Sequence, residues 1–218
     1  FNLTLGDAAQ TGVMTVTGDA SANDIITAAG AYNVVFNGGG TVTNNVGFLN
    51  TGTVTLGNDV GDTFTYNGGV DTTGGPSGTN TAGTIQTSND IIAMNAVTQT
   101  ANTTFLSGAA TTTLASAAGA FDLTLGNGAQ TGDMTITGDA TINDLITAVG
   151  AYDVHMLGGG TITAPVNFLN TGSVTLGDGA GDTFTFNGGV DTTGGPAATG
   201  TGGTIQTSDD VIAMNAVT

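Results

Sequence analysis

The feature that most constrains the fold is a long internal repeat. Residues 1–98 align with residues 121–218 without a gap, and 70 of these 98 pairs are identical. The stretch "GDTFTYNGGVDTTGGP" (61–76) returns as "GDTFTFNGGVDTTGGP" (181–196). Duplicated globular domains drift in loop length, whereas stacked repeats must keep their geometry. We therefore expect unit 1 (residues 1–120) and an incomplete unit 2 (residues 121–218) in one continuous solenoid with no linker, and a natural chain that continues in both directions.

Short strands fill each unit. Thr, Val, Ile and Phe occur in short runs, such as "TVTL" (53–56) and "TFTY" (63–66), between turns rich in Gly, Asn and Asp. No stretch has the 3.6-residue apolar periodicity of a helix. We therefore predict an all-β protein with almost no helix.

A recurring phrase suggests the length of one coil. The pattern [VL]-T-L-G begins at Leu3, Val54, Leu123 and Val174. The intervals, about 50 and about 70 residues, are near multiples of about 24 residues, a length found in parallel β-solenoids. The prediction is a parallel β-helix (β-solenoid) of about nine coils of about 24 residues, with about five coils and an axial rise of roughly 24 Å per unit.

Alternation along the strands separates inside from outside. Met14 and Val16 should point into the core, and Thr15 should point to solvent. Unit 2 keeps the expected inward residues, whereas outward positions change type, as where Val13 becomes Asp133. The inward residues expected in unit 2 are Leu123, Leu125, Met134, Ile136, Val174, Leu176, Phe184 and Phe186.

The charge pattern excludes several functions. The chain has no Lys or Arg, and its 17 acidic residues give a formal net charge of −17. Nucleic acids and anionic membrane surfaces would be repelled, and lysine-based phosphate loops are absent. There is no Cys and no run of eighteen apolar residues, so disulfides, thiol catalysis and membrane insertion are not expected.

The cadence "GTVTLG…GDTFTFNGGVDTTGG…GTIQTSDD" resembles the β strand repeat region of large bacterial surface proteins, of the filamentous-haemagglutinin-like adhesin or autotransporter passenger type. The likeness extends over the whole chain. The resemblance implies a secreted, right-handed parallel β-helix that serves as an adhesin stalk or a surface fibre. It therefore places the protein outside the cell or on the cell surface.

Two turns suggest calcium. "GNDVGDTF" (57–64) and "GDGAGDTF" (177–184) are similar to the aspartate-bearing turns of calcium-binding repeats, with hard oxygen ligands suited to Ca²⁺. The expected ligands are Asn58, Asp62, Asp178 and Asp182. The alternative is that these side chains only cap their own turns. No cofactor is required for the predicted fold, and Ca²⁺ is the one ion that the sequence suggests.

Catalysis has few candidate residues. His155 is the single His, its counterpart in unit 1 is Val35, and it should face outward. Asp209 and Asp210 are adjacent, so in a strand they would face opposite sides. Other carboxylate pairs leave open the alternative of a carbohydrate-acting β-helix enzyme.

Threonine pairs raise the alternative of an ice-binding solenoid. The Thr-x-Thr pairs of unit 1 begin at Thr15, Thr41, Thr53 and Thr63. Their starting positions are unevenly spaced along the chain, so the pairs are not expected to share one face.

The sequence as a whole predicts a non-enzymatic, extracellular structural protein. We expect a segment of a long fibre, filament or adhesin stalk that works by stacking β-coils. Its expected partners are further copies of itself, end to end or laterally, and a host surface or polysaccharide.

Overall fold

The computed structural model describes residues 1–218 and contains β-strands but no helix. Its strands are β1 Asn2–Leu5, β2 Val13–Val16, β3 Asp24–Thr27, β4 Asn33–Phe36, β5 Gly40–Val42, β6 Val46–Gly47, β7 Thr53–Leu56, β8 Thr63–Tyr66, β9 Val70–Asp71, β10 Gly78–Thr87, β11 Ile92–Leu106, β12 Thr112–Ala118, β13 Asp122–Leu125, β14 Met134–Ile136, β15 Ala140–Ile142, β16 Asp144–Thr147, β17 Val154–Met156, β18 Gly160–Ile162, β19 Val166–Asn167, β20 Ser173–Leu176, β21 Thr183–Phe186, β22 Val190–Asp191, β23 Ala198–Thr201, β24 Thr204–Thr207 and β25 Ile212–Ala213.

The strands form a three-faced parallel solenoid. Each strand pairs in parallel with the strand one coil further on, so that Val34 lies beside Val54 and Val54 beside Thr79. Face 1 carries β1, β3, β6, β9, the start of β11, the start of β12, β14, β17, β20 and β23. Face 2 carries β2, β4, β7, the start of β10, the middle of β11, the end of β12, β15, β18, β21 and β24. Face 3 carries β5, β8, the ends of β10 and β11, β13, β16, β19, β22 and β25.

The parallel solenoid is confirmed, and its coils are somewhat shorter and more numerous than predicted. The structure has about ten coils spaced about 21 residues apart, in place of the nine longer coils that were predicted. The phrases that suggested the longer coil do not lie above one another, because Leu3 is on face 1 and Val54 is on face 2. The interval between them is therefore not a whole number of coils.

The sequence repeat and the coil repeat are out of phase. Unit 1 occupies seventeen strand positions on three faces, including the one at Ala22, and therefore makes five and two-thirds coils rather than five. Consequently β13, the copy of β1, lies on face 3, and β14, the copy of β2, lies on face 1. Successive units are thus rotated by one third of a turn. At a strand spacing of about 4.8 Å, one unit rises about 27 Å, and the surface repeats only after about 80 Å.

One apolar core runs along the axis. It contains 39 buried residues, and all eight inward residues predicted for unit 2 belong to it. Aromatic rings pack against one another within it, with Phe36 and Phe64 in edge contact at 6.0 Å and Phe64 stacked on Tyr66 at 6.0 Å. Because the core is continuous, neighbouring coils stabilise one another along the whole rod.

A buried polar network joins the "DTTGGP" segment to the neighbouring coil in both units. Thr79 Oγ1 donates to Asn95 Oδ1 at 2.6 Å, and the Thr72 and Thr79 hydroxyl oxygens are 2.9 Å apart. The Asn95 side-chain amide donates to the carbonyl of Pro76. The same contacts recur around Thr199 in unit 2. The side chains of this network are hydrogen-bond partners of one another, so replacing one of them by an apolar residue leaves a buried polar group without a partner.

Glycine is required where the chain turns from one face to the next. Gly40 and Gly160 have φ angles of +140° and +127°. A Cβ atom at these positions would lie 2.1 Å from the Ala20 carbonyl oxygen and 2.0 Å from the Ala140 carbonyl oxygen. Both the backbone conformation and the close approach of the preceding coil therefore exclude a side chain.

Candidate functional site

The predicted calcium ligands come together in two similar turns. In the first, Asp62 Oδ2 accepts hydrogen bonds from the backbone N–H groups of Asn58 at 2.8 Å and Asp59 at 3.0 Å. In the second, Asp182 Oδ2 accepts from the N–H groups of Asp178 and Gly179, both at 2.8 Å. One oxygen of each aspartate thus closes its own turn. Calcium binding through the remaining oxygen atoms stays a prediction.

The two turns lie on different edges of the rod. The Asn58–Asp62 turn joins β7 on face 2 to β8 on face 3, whereas the Asp178–Asp182 turn joins β20 on face 1 to β21 on face 2. The one-third rotation between units causes this difference. The turns therefore form two separate sites and do not line up in a row.

Outward threonines are distributed over two faces in unit 1. Thr15 and Thr55 lie on face 2, whereas Thr41 and Thr65 lie on face 3. The longest row of stacked outward threonines runs through only four adjacent coils on face 3, and Ile146 ends it in the next coil. This row consists of Thr63, Thr84, Thr104 and Thr124. The four threonine pairs of unit 1 therefore do not share one face, as expected from their spacing.

Asp122 and Asp144 are a pair of neighbouring carboxylates on face 3. Burial raises the pKa of the Asp144 carboxyl, and the negative charge of Asp122 raises it further. Asp122 accepts hydrogen bonds from the Asn143 amide at 2.7 Å and the Asn102 amide at 3.0 Å. Neither aspartate lines any of the three surface concavities, the largest of which is about 500 Å³.

Asp209 and Asp210 are exposed in the turn between β24 and β25, at the C-terminal end of the rod. The Asp210 carbonyl accepts a hydrogen bond from the Thr207 hydroxyl at 2.8 Å. The two residues therefore lie in a turn rather than in a strand, and they belong to the structure of that turn.

His155 points outward on face 1, as predicted, and is half-buried. Its Nδ1 atom lies 3.1 Å from the Thr175 hydroxyl in the next coil. A ring nitrogen of His155 also lies within 4.8 Å of a carboxylate oxygen of Asp153, in the same coil, and of Asp133, in the preceding coil. Sequence reasoning treated His155 alone and missed this cluster. Asp133 and Asp153 are about one coil apart in the sequence, but this spacing predicts that they lie side by side only when the coil length is known.

The ends of the rod expose residues that are covered elsewhere. Val217 in the last coil is 54% exposed, whereas its counterpart Val97 in the middle of the rod is 1% exposed. Phe1 in the first coil is 79% exposed, whereas Phe121 is 36% exposed. The strands of the terminal coils also have no partner on their outer side. Burial of these residues therefore depends on a further coil stacked against them.

These features define an acidic, three-faced parallel β-solenoid. Comparison with protein-family models, with curated proteins and with solved structures found no match. The structure contains no helix that could cross a lipid bilayer.

Proposed function

We propose that the chain is a structural segment of a long extracellular fibre or stalk and that it works by stacking β-coils without catalysing a reaction. One observation carries the proposal: a single core and three parallel sheets run through about ten coils. Such an architecture gains stability with every coil added. Length and stiffness are the properties that it provides.

A further coil is expected to stack at either end, from the continuing chain or from a further copy of it. An added coil would pair the open backbone edge of the last coil and cover Val217, as the chain itself covers Val97. Parallel pairing across the junction would continue the ladder that every internal coil already uses. End-to-end association is thus the favoured mode of assembly.

Lateral association is opposed by charge. The chain carries a formal charge of −17 with no Lys or Arg. Repulsion between parallel rods extends over a Debye length of about 10 Å at 0.1 M salt. Side-by-side contact should therefore require high salt or a bridging cation such as Ca²⁺.

The rotation between units supports a stalk more than a flat binding surface. A feature repeated in every unit moves to a neighbouring face each time, so no face presents it at every unit. Ice binding needs one regular flat array, which this arrangement interrupts. A host surface or polysaccharide would meet such a feature on all three faces, and contact with either stays a prediction.

Cryo-electron microscopy of the purified chain, with and without chelator, tests the proposal. Continuous filaments with axial spacings of about 4.8 Å between coils are expected. The change Val217→Asp should shorten them, whereas Ile91→Asp, at a position that is 60% exposed along the rod, should not. Monomeric rods at all concentrations and salt conditions would contradict end-to-end assembly. Turnover of a polysaccharide substrate by the same material would contradict the non-enzymatic role.

A further inference from the structure

We propose that Asp133, Asp153 and His155 form a binding site for a divalent transition-metal ion on face 1. One ligand atom from each of the three side chains lies within 4.8 Å of the others. The site is present in unit 2 and is not repeated in unit 1. It is independent of the calcium turns and goes beyond the proposed structural function.

The solenoid brings the three residues together across two coils. Met134 lies beside Val154, so the preceding residues Asp133 and Asp153 occupy the same position in neighbouring coils. His155 follows Asp153 by two residues and therefore projects from the same side of its strand. Zn²⁺ ligands bind at about 2.0–2.2 Å, so the three ligand atoms would draw closer together around a bound ion.

The two units differ at all three ligand positions. Unit 1 has Val13, Asn33 and Val35 where unit 2 has the three ligands. The inward neighbours Met14 and Val34 correspond to identical residues, Met134 and Val154. The metal-binding side chains thus occur together in unit 2 alone.

Electrostatics also favour a bound cation. Two carboxylates at matching positions of neighbouring strands repel each other. The chain has no Lys or Arg that could offset this repulsion. A divalent ion between Asp133 and Asp153 would convert the repulsion into attraction and tie the two coils together.

Neighbouring groups hold two of the ligands in place. Asp153 Oδ1 accepts a hydrogen bond from the Ser173 N–H at 2.6 Å. His155 Nδ1 contacts the Thr175 hydroxyl at 3.1 Å, which leaves Nε2 for the metal. Such supporting contacts fix the orientation of ligands in metal sites. The imidazole favours Zn²⁺, Cu²⁺ or Ni²⁺ over Ca²⁺ or Mg²⁺, and the remaining coordination positions would hold water.

Isothermal titration calorimetry of the EDTA-treated chain with ZnCl₂ at pH 7.5 tests the proposal. We expect one saturable site per chain, together with a shift of the His155 ring signals in NMR spectra. The change His155→Val restores the residue of unit 1 and should weaken Zn²⁺ binding at least tenfold. The control Asp209→Asn, at an exposed turn position where the change likewise restores the residue of unit 1, should leave Zn²⁺ binding unchanged.

A transplant provides the converse test. The triple change Val13→Asp, Asn33→Asp and Val35→His should raise the Zn²⁺ stoichiometry from one to two sites per chain. Circular dichroism establishes whether each variant is folded, and His155→Val decides the question if the transplant does not fold. Zn²⁺ binding that is equal in the parent and in His155→Val would overturn the proposal.

Discussion

Tyr66 should destabilise the solenoid through its hydroxyl group, and Tyr66→Phe should stabilise it. The side chain is completely buried, and its hydroxyl has no hydrogen-bond partner. Burial also raises the pKa of Tyr66 strongly. Phe186 occupies the equivalent position in unit 2 and is equally buried, so a phenyl ring already fits this environment.

The magnitude follows from the cost of the unpaired hydroxyl. An unsatisfied buried polar group costs about 1–3 kcal/mol, and Phe keeps the apolar contacts of the ring. We therefore expect Tyr66→Phe to raise the free energy of unfolding by about 1–2 kcal/mol. In a chain of this length, that corresponds to an increase in Tm of about 2–8 °C.

The assay is equilibrium urea unfolding together with hydrogen exchange of the β8 amides, because coils of a solenoid can open locally. The reverse change Phe186→Tyr should destabilise by about the same amount. Tyr152→Phe is the matched control and should also destabilise, since the Tyr152 hydroxyl donates to the Leu125 carbonyl at 2.8 Å and accepts from the Ala148 N–H at 2.8 Å. Loss of stability in Tyr66→Phe, with no effect of Phe186→Tyr, would refute the reasoning.

Four further predictions concern pH, the turns and the buried polar groups. Above about pH 10 the unfolded chain releases the Tyr66 proton and the native chain keeps it, so the free energy of unfolding should fall as the pH rises. In urea titrations this fall should be steeper in the wild type than in Tyr66→Phe, by about 1.4 kcal/mol per pH unit. Gly160→Ala should lower the free energy of unfolding by about 3 kcal/mol or more. Gly181→Ala should lower it by under about 1 kcal/mol, because no atom lies near the Cβ position of Gly181. Equal melting temperatures of the two variants would contradict this. Asp122→Asn should lower the pKa of Asp144 in NMR titrations, and an unchanged pKa would exclude the proposed repulsion. Because the pKa of Asp144 is raised in the folded chain, the stability that protonated Asp144 contributes is lost as the pH rises through that pKa. Thr79→Val breaks the buried network and should cost about 1–3 kcal/mol in urea unfolding, and a neutral effect would show that the network is dispensable.

The sequence alone determined the strand content, the parallel solenoid and most inward positions. The phrases "TVTL" and "TFTY" match β7 and β8 at both ends, because local alternation between threonine and apolar residues is enough to define such strands. The weaker strands β9 and β12 were not predicted. β9 has only two residues, and β12 reads mainly as Thr and Ala, so each depends on the neighbouring coil to supply its pairing.

Only the tertiary structure decided the coil length, the rotation between units and the grouping of His155 with its aspartates. These properties depend on which residues lie above one another, and corner loops of different lengths hide that register in the sequence. With the longer coil predicted from the sequence, Asp133 would lie near Leu157. The structure instead places Met134 beside Val154, and it is this register that brings Asp133 to Asp153. Alternation is a local property of the chain, whereas the vertical register is set by the packing of one coil on the next.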